Sequence, residues 1–422
     1  MKTTTDITPH EPRSDKGFSL RLLTLRETPF RWLFLVAAFF PWVSFNTNSL
    51  DMQPWPLIFA LCLIAMDGKM ILSRTLIYAT ILLIIGFFMA IFASNSVNFL
   101  ALRAFYQFFS VFIFFAATNS IIRRRYEIRP LVKVFNVIWI LAGLVELRFP
   151  MVLAIFGKVR TSTGRGVTSF APEPSFFVAY LIFSSAILLV LDGYSVKKSK
   201  WVHLLNVMAV ILLAKSAIGM AYLMVLVLCY FGYLLLRGRP KKLGIYLLVS
   251  AISMTMLVPV LLKLTETNTR ALDLILKLVT KGPLLLVKID ASINERAAHV
   301  ILSIHAALQN YFIPLGFDTF SEIRLEVQSF YNGFFWQATG TDKIMSWFGE
   351  WIYTLGIFGI FGLVLFYVNF PKLPSEGKWT LLAVSIILFS AIPVSFPLVA
   401  ILFAYMSGDR NDGQNHHHHR CL

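Results

Sequence analysis

Four charged side chains between positions 157 and 175 have the types and spacing that phosphate chemistry requires. Lys158, Arg160 and Arg165 are cations, and Glu173 follows them in a Pro-Glu-Pro-Ser sequence. A guanidinium group offers a planar fork of N–H donors that matches phosphate oxygens and keeps its charge when partly desolvated. Such cations stabilise the charge that develops on a leaving diphosphate without a metal ion. We therefore predict an anion site formed chiefly by Arg160 and Arg165, whereas Lys158 is expected to extend toward lipid headgroups.

Glu173 has two interpretations at the level of sequence. Pro172 and Pro174 flank it and restrict the backbone on both sides of its carboxylate, where an apolar segment begins. As a general base, Glu173 would accept the proton of an attacking hydroxyl group. As a structural residue, it would form a salt bridge that orients Arg165, and both interpretations stay open.

Lys215 lies inside an otherwise apolar stretch over 203–236. A charge at this position of a membrane protein is costly unless it meets an anion or water. An anionic substrate or a structural counter-ion would each compensate for it, and the sequence does not separate these two roles. A single helix over this stretch would be about 51 Å long, so we predict a hairpin that is broken near Lys215-Ser216.

A second group of titratable residues lies on a predicted amphipathic helix over 294–310. Arg296, His299 and Ser303 have the spacing of one helical face, with His305 one step round. Arg296 is the functional candidate of this group, while each histidine alone is more often structural. The opposite face is apolar and consists of Val300, Ile301, Ile304 and Leu308.

The composition is typical of a polytopic α-helical membrane protein and excludes an ordinary soluble domain. The chain is 57% hydrophobic and 14% charged, with a mean hydropathy of +0.71. Its formal net charge of +16 would suit nucleic acid, but most cations lie in short loops between apolar segments. Such cations set membrane topology and contact anionic lipids. We therefore expect membrane lipids, and not nucleic acid, as partners.

The alternation of apolar segments and cationic loops predicts about twelve membrane spans with both termini in the cytoplasm. Residues 1–30 form the predicted N-terminal tail, 31–406 the bundle, 264–345 one large outer loop and 407–422 the C-terminal tail. Predicted spans lie at 31–46, 54–66, 75–93, 98–121, 131–147, 176–191, 244–263 and 347–367, with hairpins over 203–236 and 379–406.

The stretch with Arg160 and Arg165 falls on the outer side of this topology, where the positive-inside rule disfavours cations. Inverting the topology would place Arg123–Arg125, the strongest inside signal, on the wrong side instead. A local violation of this kind points to function.

Four short motifs occur in the order of a known family of envelope proteins. They are Thr163-Gly164-Arg165-Gly166 with Glu173-Pro174-Ser175, Ala214-Lys215-Ser216, Asn294-Glu295-Arg296 with Pro314-Leu315-Gly316, and Ser346 with Glu350. In this order they resemble the motifs of the O-antigen polymerase and ligase superfamily of bacterial membrane glycosyltransferases, over about 70–406. Met345-Ser346 stands where the ligases have a His-Asn pair, which favours a polymerase.

The resemblance implies an all-α, GT-C-like bundle in the bacterial inner membrane with its active site at the periplasmic face. The implied reaction polymerises undecaprenyl-diphosphate-linked oligosaccharide repeat units into O-antigen, capsule or exopolysaccharide, with no metal or cofactor. A chain-length regulator protein is an implied partner. The implied site contains Glu173 and Arg165 as catalytic residues, Arg160, Arg165, Lys215 and Arg296 around the diphosphate, and His299 and His305 as candidate substrate contacts.

Two alternatives remain open at the level of sequence. A ligase would transfer finished glycan to lipid A core, and its acceptor would distinguish it from a polymerase. A transporter or flippase of lipid-linked sugars would place charges at mid-bilayer in several spans. Only Lys215 and Arg103 meet that condition in this sequence.

Overall fold

The computed structural model describes residues 29–44, 52–67, 74–94, 99–150, 152–156, 166–237, 244, 282–317, 319–337, 344–368, 370 and 373–408. Every regular element in these ranges is helical, which confirms the predicted all-α class. The α-helices are α1 (Pro29–Phe39), α2 (Trp55–Asp67), α3 (Arg74–Ala93), α4 (Phe99–Arg123), α5 (Arg129–Arg148), α6 (Pro174–Leu191), α7 (Lys200–Met208), α8 (Ala217–Leu236), α9 (Pro283–Ile289), α10 (Ala291–Gln309), α11 (Phe320–Ser329), α12 (Trp347–Tyr367), α13 (Ser375–Leu388) and α14 (Pro397–Ser407). Shorter 3₁₀ segments cover Val152–Phe156 and Val196–Ser199, and a π-helix covers Ala209–Ala214.

Among the described residues, five helices are long and apolar enough to cross a membrane, namely α3, α5, α6, α8 and α12. Their length and composition are those expected of a helical membrane protein. Helices α2 to α6 and α12 begin and end within a few residues of the corresponding predicted spans. The first predicted span, 31–46, is helical only as far as Phe39, and the predicted span at 244–263 lies almost wholly outside the described residues.

Helix α6 lies at the centre of the bundle, with most of its side chains buried. Its Tyr180 ring stacks on Trp139 of α5 with 4.1 Å between the ring centroids. About one helical turn away on the same helices, Asn136 of α5 accepts hydrogen bonds from Ser184 of α6 and Asn206 of α7, each 2.9 Å long. Side-chain amides and hydroxyls of this kind hold helices together in an apolar environment, where few other polar partners exist.

Ion pairs join several helix ends at one end of the bundle, here called the Asp67 end. The carboxylate of Asp67, at the end of α2, accepts from Arg123 and Arg124 at the end of α4. Arg129, which begins α5, lies 3.1 Å from Asp192 after α6. These helix ends therefore lie together at one end of the bundle.

The ends of α8 and α13 lie at the same end of the bundle. Arg237 after α8 pairs with Glu376 in the first turn of α13 at 2.8 Å. The neighbouring Gly377 packs against the ring of Tyr194, two residues beyond Asp192, which ties this pair to the Asp67 end.

Helices α9 to α11 form a separate apolar cluster at the opposite end of the bundle. Helix α10 packs on α12, and the loop after α10 reaches α3, where the Phe317 N–H donates to Ser94 at 2.8 Å. Gly356 interrupts α12 with φ of 55°, a left-handed conformation that glycine adopts without steric cost. The Phe312 carbonyl fills this break and accepts from the N–H of Ile357 at 2.7 Å.

Candidate functional site

Glu173 and Arg296 meet where α6 begins. Glu173 has an extended backbone immediately before Pro174, and a proline at the first helical position suits a helix start. The helix from there to Asp192 is about 27 Å long, so Glu173 lies at the end of the bundle opposite the Asp67 end. The Nη2 atom of Arg296 lies 3.9 Å from Oε2 of Glu173. The fold thus brings together two residues that belong to separate sequence motifs.

The Arg296 side chain is held by one close partner on its own helix. Its Nη1 donates to the Ser292 hydroxyl, four residues earlier, at 2.6 Å. Its Nε is buried with no hydrogen-bond partner. The distance of 3.9 Å to Glu173 is that of an ion pair and not of a hydrogen bond. Because both side chains keep part of their surface exposed, the pair retains donor capacity for an additional anion.

Glu295, next to Arg296, has a perturbed carboxyl group. Burial disfavours its charged form and raises its pKa, the Arg296 cation opposes this shift, and the Glu173 carboxylate adds to it. The three residues therefore form one electrostatic cluster of two carboxyl groups around one guanidinium.

The buried hydroxyl group of Tyr222 lies within electrostatic range of Arg296 and was not predicted from the sequence. Tyr222 of α8 hydrogen-bonds to Ser390, in the segment between α13 and α14, and Arg296 interacts electrostatically with Tyr222. The Ser390 hydroxyl also donates to the Ile387 carbonyl at 2.7 Å. No local pattern marks these residues, because their contact joins distant parts of the chain.

The predicted break at Lys215-Ser216 is confirmed. A π-helix over Ala209–Ala214 precedes it, and Lys215 adopts a left-handed conformation with φ of 45°. Gly219 packs against Val210, which would lie about 13 Å away in a straight helix, so the chain turns back here. Left-handed backbone is uncommon for a residue with a side chain, and such outliers concentrate at functional sites.

Lys215 has no acidic partner within the part of the chain that the structure describes. Its side chain is half-buried. The structural alternative, pairing with a counter-ion of the protein, thus has no support among the described residues. An anion supplied by a substrate remains consistent with this arrangement.

The segment that follows Arg165 in the sequence packs directly on this break. Gly166 has φ of 105°, and a Cβ there would lie 2.0 Å from the Ala214 carbonyl oxygen. The next N–H, of Val167, donates to the Leu213 carbonyl at 3.0 Å. Only glycine at position 166 allows this close approach of the two backbones.

Glu146, at the end of α5, holds the next two residues of the segment. Its carboxylate accepts from the backbone N–H of Thr168 at 2.8 Å and of Ser169 at 2.6 Å. It also accepts from the Thr168 hydroxyl at 2.8 Å. A carboxylate that accepts three hydrogen bonds is strongly held, so this turn is a rigid lead into Glu173.

His299 lies in the interior of the cluster formed by α10 and α11. It is 0% exposed, and its Nδ1 accepts from the backbone N–H of Met345 at 3.2 Å. Burial lowers its pKa to about 4, and the Arg324 cation acts in the same direction. His299 is thus a neutral residue that contacts the lead into α12 and does not contact Glu173.

His305 lies among aromatic side chains. Its Nδ1 is 2.8 Å from the Tyr331 hydroxyl, and its ring packs on Phe330 and Tyr331. On an α-helix, position 305 lies half a turn away from position 296, so His305 and Arg296 occupy opposite faces of α10. The structure therefore joins Arg296, but not His305, to Glu173.

Arg160 and Arg165, the two arginines predicted to lead the anion site, lie outside the described residues, as does Lys158. Their roles stay predictions. Within the described residues, no group of three or more His, Cys, Asp or Glu side chains is arranged to hold a metal ion. Known protein families, characterised proteins and solved structures were compared with this chain, and none of them matches it.

Proposed function

We propose that this chain is a membrane glycosyltransferase that polymerises undecaprenyl-diphosphate-linked oligosaccharide repeat units at the outer face of a bacterial inner membrane. The proposal includes a GT-C-like bundle of about twelve spans, cytoplasmic termini and a periplasmic site. The observation that carries it is the Arg296–Glu173 pair at the end of the bundle opposite the Asp67 end. A cation with spare donors beside a carboxylate, at a membrane surface, suits a diphosphate leaving group next to a hydroxyl acceptor.

The proposed diphosphate contacts are Arg296, Lys215, Arg160 and Arg165. Lys215 supports this assignment because it is half-buried in an apolar stretch and has no acidic partner among the described residues. Gly166, which directly follows Arg165, supports it as well. It packs against the carbonyl of Ala214, which directly precedes Lys215. The carboxylate of Glu146 fixes the turn at Thr168, which lies between Gly166 and Glu173.

In the proposed reaction, a hydroxyl oxygen of the acceptor sugar attacks the anomeric carbon of the donor glycan. The bond from that carbon to the diphosphate oxygen breaks, and undecaprenyl diphosphate leaves with the bonding electron pair. The hydroxyl proton passes to Glu173 and then to water or to the released diphosphate. Arg296 and the other cations stabilise the charge on the leaving group, which is the largest electrostatic demand of the step.

The test is turnover of a synthetic lipid-linked repeat unit by the purified protein in EDTA. The proposal predicts a ladder of longer glycans that remain attached to undecaprenyl diphosphate. A product that forms only when lipid A core is supplied would identify a ligase instead. Movement of the substrate across a vesicle membrane, with no new glycosidic bond, would identify a transporter.

A further inference from the structure

One edge of the helical cluster formed by α9 to α11 is apolar and exposed, at the end of α10 and in the loop that follows. It consists of Leu308, Tyr311 and Ile313, and we call it the interfacial edge. Tyr311 is 87% exposed and Ile313 is 54% exposed. Residues 308–317 contain no charged side chain. An exposed apolar edge of this kind marks an interaction surface.

The loop that carries this edge packs on α3, whose outward-facing side has an apolar stripe. The stripe follows one helical face and ends at Phe92, two residues before Ser94. The Phe92 side chain is 83% exposed. Ser94 accepts from the N–H of Phe317, and the Phe317 ring packs on Phe87. The stripe consists of Ile77, Ile81, Ile85, Phe88 and Phe92. Because α3 is a membrane-spanning candidate, lipid is the occupant of this stripe.

The depth of the edge follows from its contacts with two candidate spans. The Phe312 carbonyl accepts from Ile357 of α12, and the next residue of α12, Phe358, packs against Gly86 of α3. Gly86 is about 10 Å from the end of α3 at Ala93. The loop at Phe312 therefore lies beside α3, displaced from the Ala93 end toward the middle of the helix, and not beyond that end. A depth of about 5–10 Å is the headgroup and acyl boundary, where amphipathic elements bury their apolar faces.

The backbone of the edge is fixed in an unusual conformation. Tyr311 and Phe312 both have positive φ, 52° and 57°, which bulky residues seldom adopt. The turn is held by the Phe312 N–H, which donates to the Ala307 carbonyl at 2.7 Å, and by the Ile313 N–H, which donates to Asn310 at 2.9 Å. This rigid turn directs the Tyr311 ring outward, and tyrosine is a residue that membrane interfaces favour.

We infer that the interfacial edge of Leu308, Tyr311 and Ile313 inserts into the boundary of the lipid bilayer and anchors the α9–α11 cluster on the membrane surface. This inference does not depend on the reaction that the protein catalyses. Arg296 is on the same helix as Leu308, so the anchor also sets the height of Arg296 above the bilayer.

The test uses spin labels on the full-length protein in nanodiscs of phosphatidylethanolamine and phosphatidylglycerol. Cys62, Cys229 and Cys421 are first replaced by alanine. Single cysteines are then placed by Tyr311→Cys and Ile313→Cys. Glu326→Cys on α11 is the aqueous control and Phe92→Cys is the lipid control, because both native side chains are exposed.

Labels at 311 and 313 should be accessible to oxygen and shielded from a water-soluble nickel chelate at least tenfold relative to the label at 326. The label at 92 should show the same lipid pattern. Nickel access at 311 and 313 equal to that at 326 would overturn the inference. Shielding from both oxygen and nickel would also overturn it, since protein would then cover the edge.

Discussion

Nη2 of Arg296 and Oε2 of Glu173 lie 3.9 Å apart, which joins α10 to the residue that precedes α6, the most buried of the five candidate membrane spans. These residues are far apart in the sequence and belong to separate motifs. Their contact gives the proposed site two of its parts, a cation for the diphosphate and a carboxylate for the acceptor.

Replacing Glu173 with glutamine should lower the rate of glycan transfer by about 10²–10⁴, because an amide cannot accept the hydroxyl proton. Glu295→Gln is the matched control, since it removes a neighbouring carboxylate from the same electrostatic cluster. Its rate should stay within about tenfold of the unmodified protein. Initial rates with the lipid-linked repeat unit measure both. A Glu173→Gln variant with unchanged maximal rate and only a raised KM would assign Glu173 to orientation of Arg296.

Replacing Gly166 with alanine should disrupt the contact with the Lys215 break. The added Cβ would lie 2.0 Å from the Ala214 carbonyl, and the φ of 105° is unfavourable for alanine. Gly333→Ala separates these two effects, because Gly333 also has positive φ but no atom within 4 Å of the place that a Cβ would take. Thermal unfolding should show a loss of about 3 kcal/mol or more for Gly166→Ala, against about 1 kcal/mol for Gly333→Ala. Equal losses would show that the contact with Ala214 does not contribute to the free energy of unfolding.

Replacing Gly356 with alanine should separate the loop after α10 from α12. The new Cβ would lie 2.1 Å from the Phe312 carbonyl oxygen, which fills the break in the helix. We expect a loss of about 3 kcal/mol or more. Gly362→Ala in the same helix is the control, since its nearest neighbour is the Ala79 carbonyl at 3.9 Å. Differential scanning fluorimetry in detergent measures both, and a melting temperature of Gly356→Ala equal to that of Gly362→Ala would contradict the described packing.

His299 should make the protein less stable in acid. Its pKa is about 4 in the folded state against an ordinary value of 6.5, so the unfolded state binds the additional proton between these values. The free energy of unfolding should therefore fall as the pH is lowered from 6.5 to 4, by at most about 1.4 kcal/mol per pH unit. His299→Gln should show a smaller fall over this range. An unchanged pH dependence in His299→Gln would place the titration elsewhere.

The bounds of α2 to α6 and α12 were accessible from the sequence because hydropathy and turn residues are local signals. The predicted helix over 294–310 corresponds to α10, and the predicted break at Lys215-Ser216 is present. The length of this apolar stretch revealed the break, because a single helix over 203–236 would be about 51 Å long and a membrane needs much less. These features depend on residues that are near one another in the chain.

The orientation of α10 and the hydroxyl pair of Tyr222 and Ser390 were not accessible in this way. His299 and Ser303, on the polar face of α10, are fully buried, whereas Ile301 on the apolar face is exposed. The inferred position of the α9–α11 cluster at the bilayer boundary would account for this arrangement, because lipid accepts apolar side chains that water would drive inward. Contacts between distant segments, such as Tyr222 with Ser390, leave no local pattern that a periodicity analysis detects.

The most direct test of the central proposal compares two arginines at opposite ends of the bundle. Arg296→Ala removes the proposed diphosphate contact, and Arg237→Ala removes the ion pair with Glu376. The measurement is the rate of glycan ladder formation from a lipid-linked repeat unit in EDTA, per amount of folded protein. The proposal predicts a loss of about 10²–10³ for Arg296→Ala and little change for Arg237→Ala. A ladder of unchanged length and rate in Arg296→Ala, or the absence of any ladder with the unmodified protein, would contradict it.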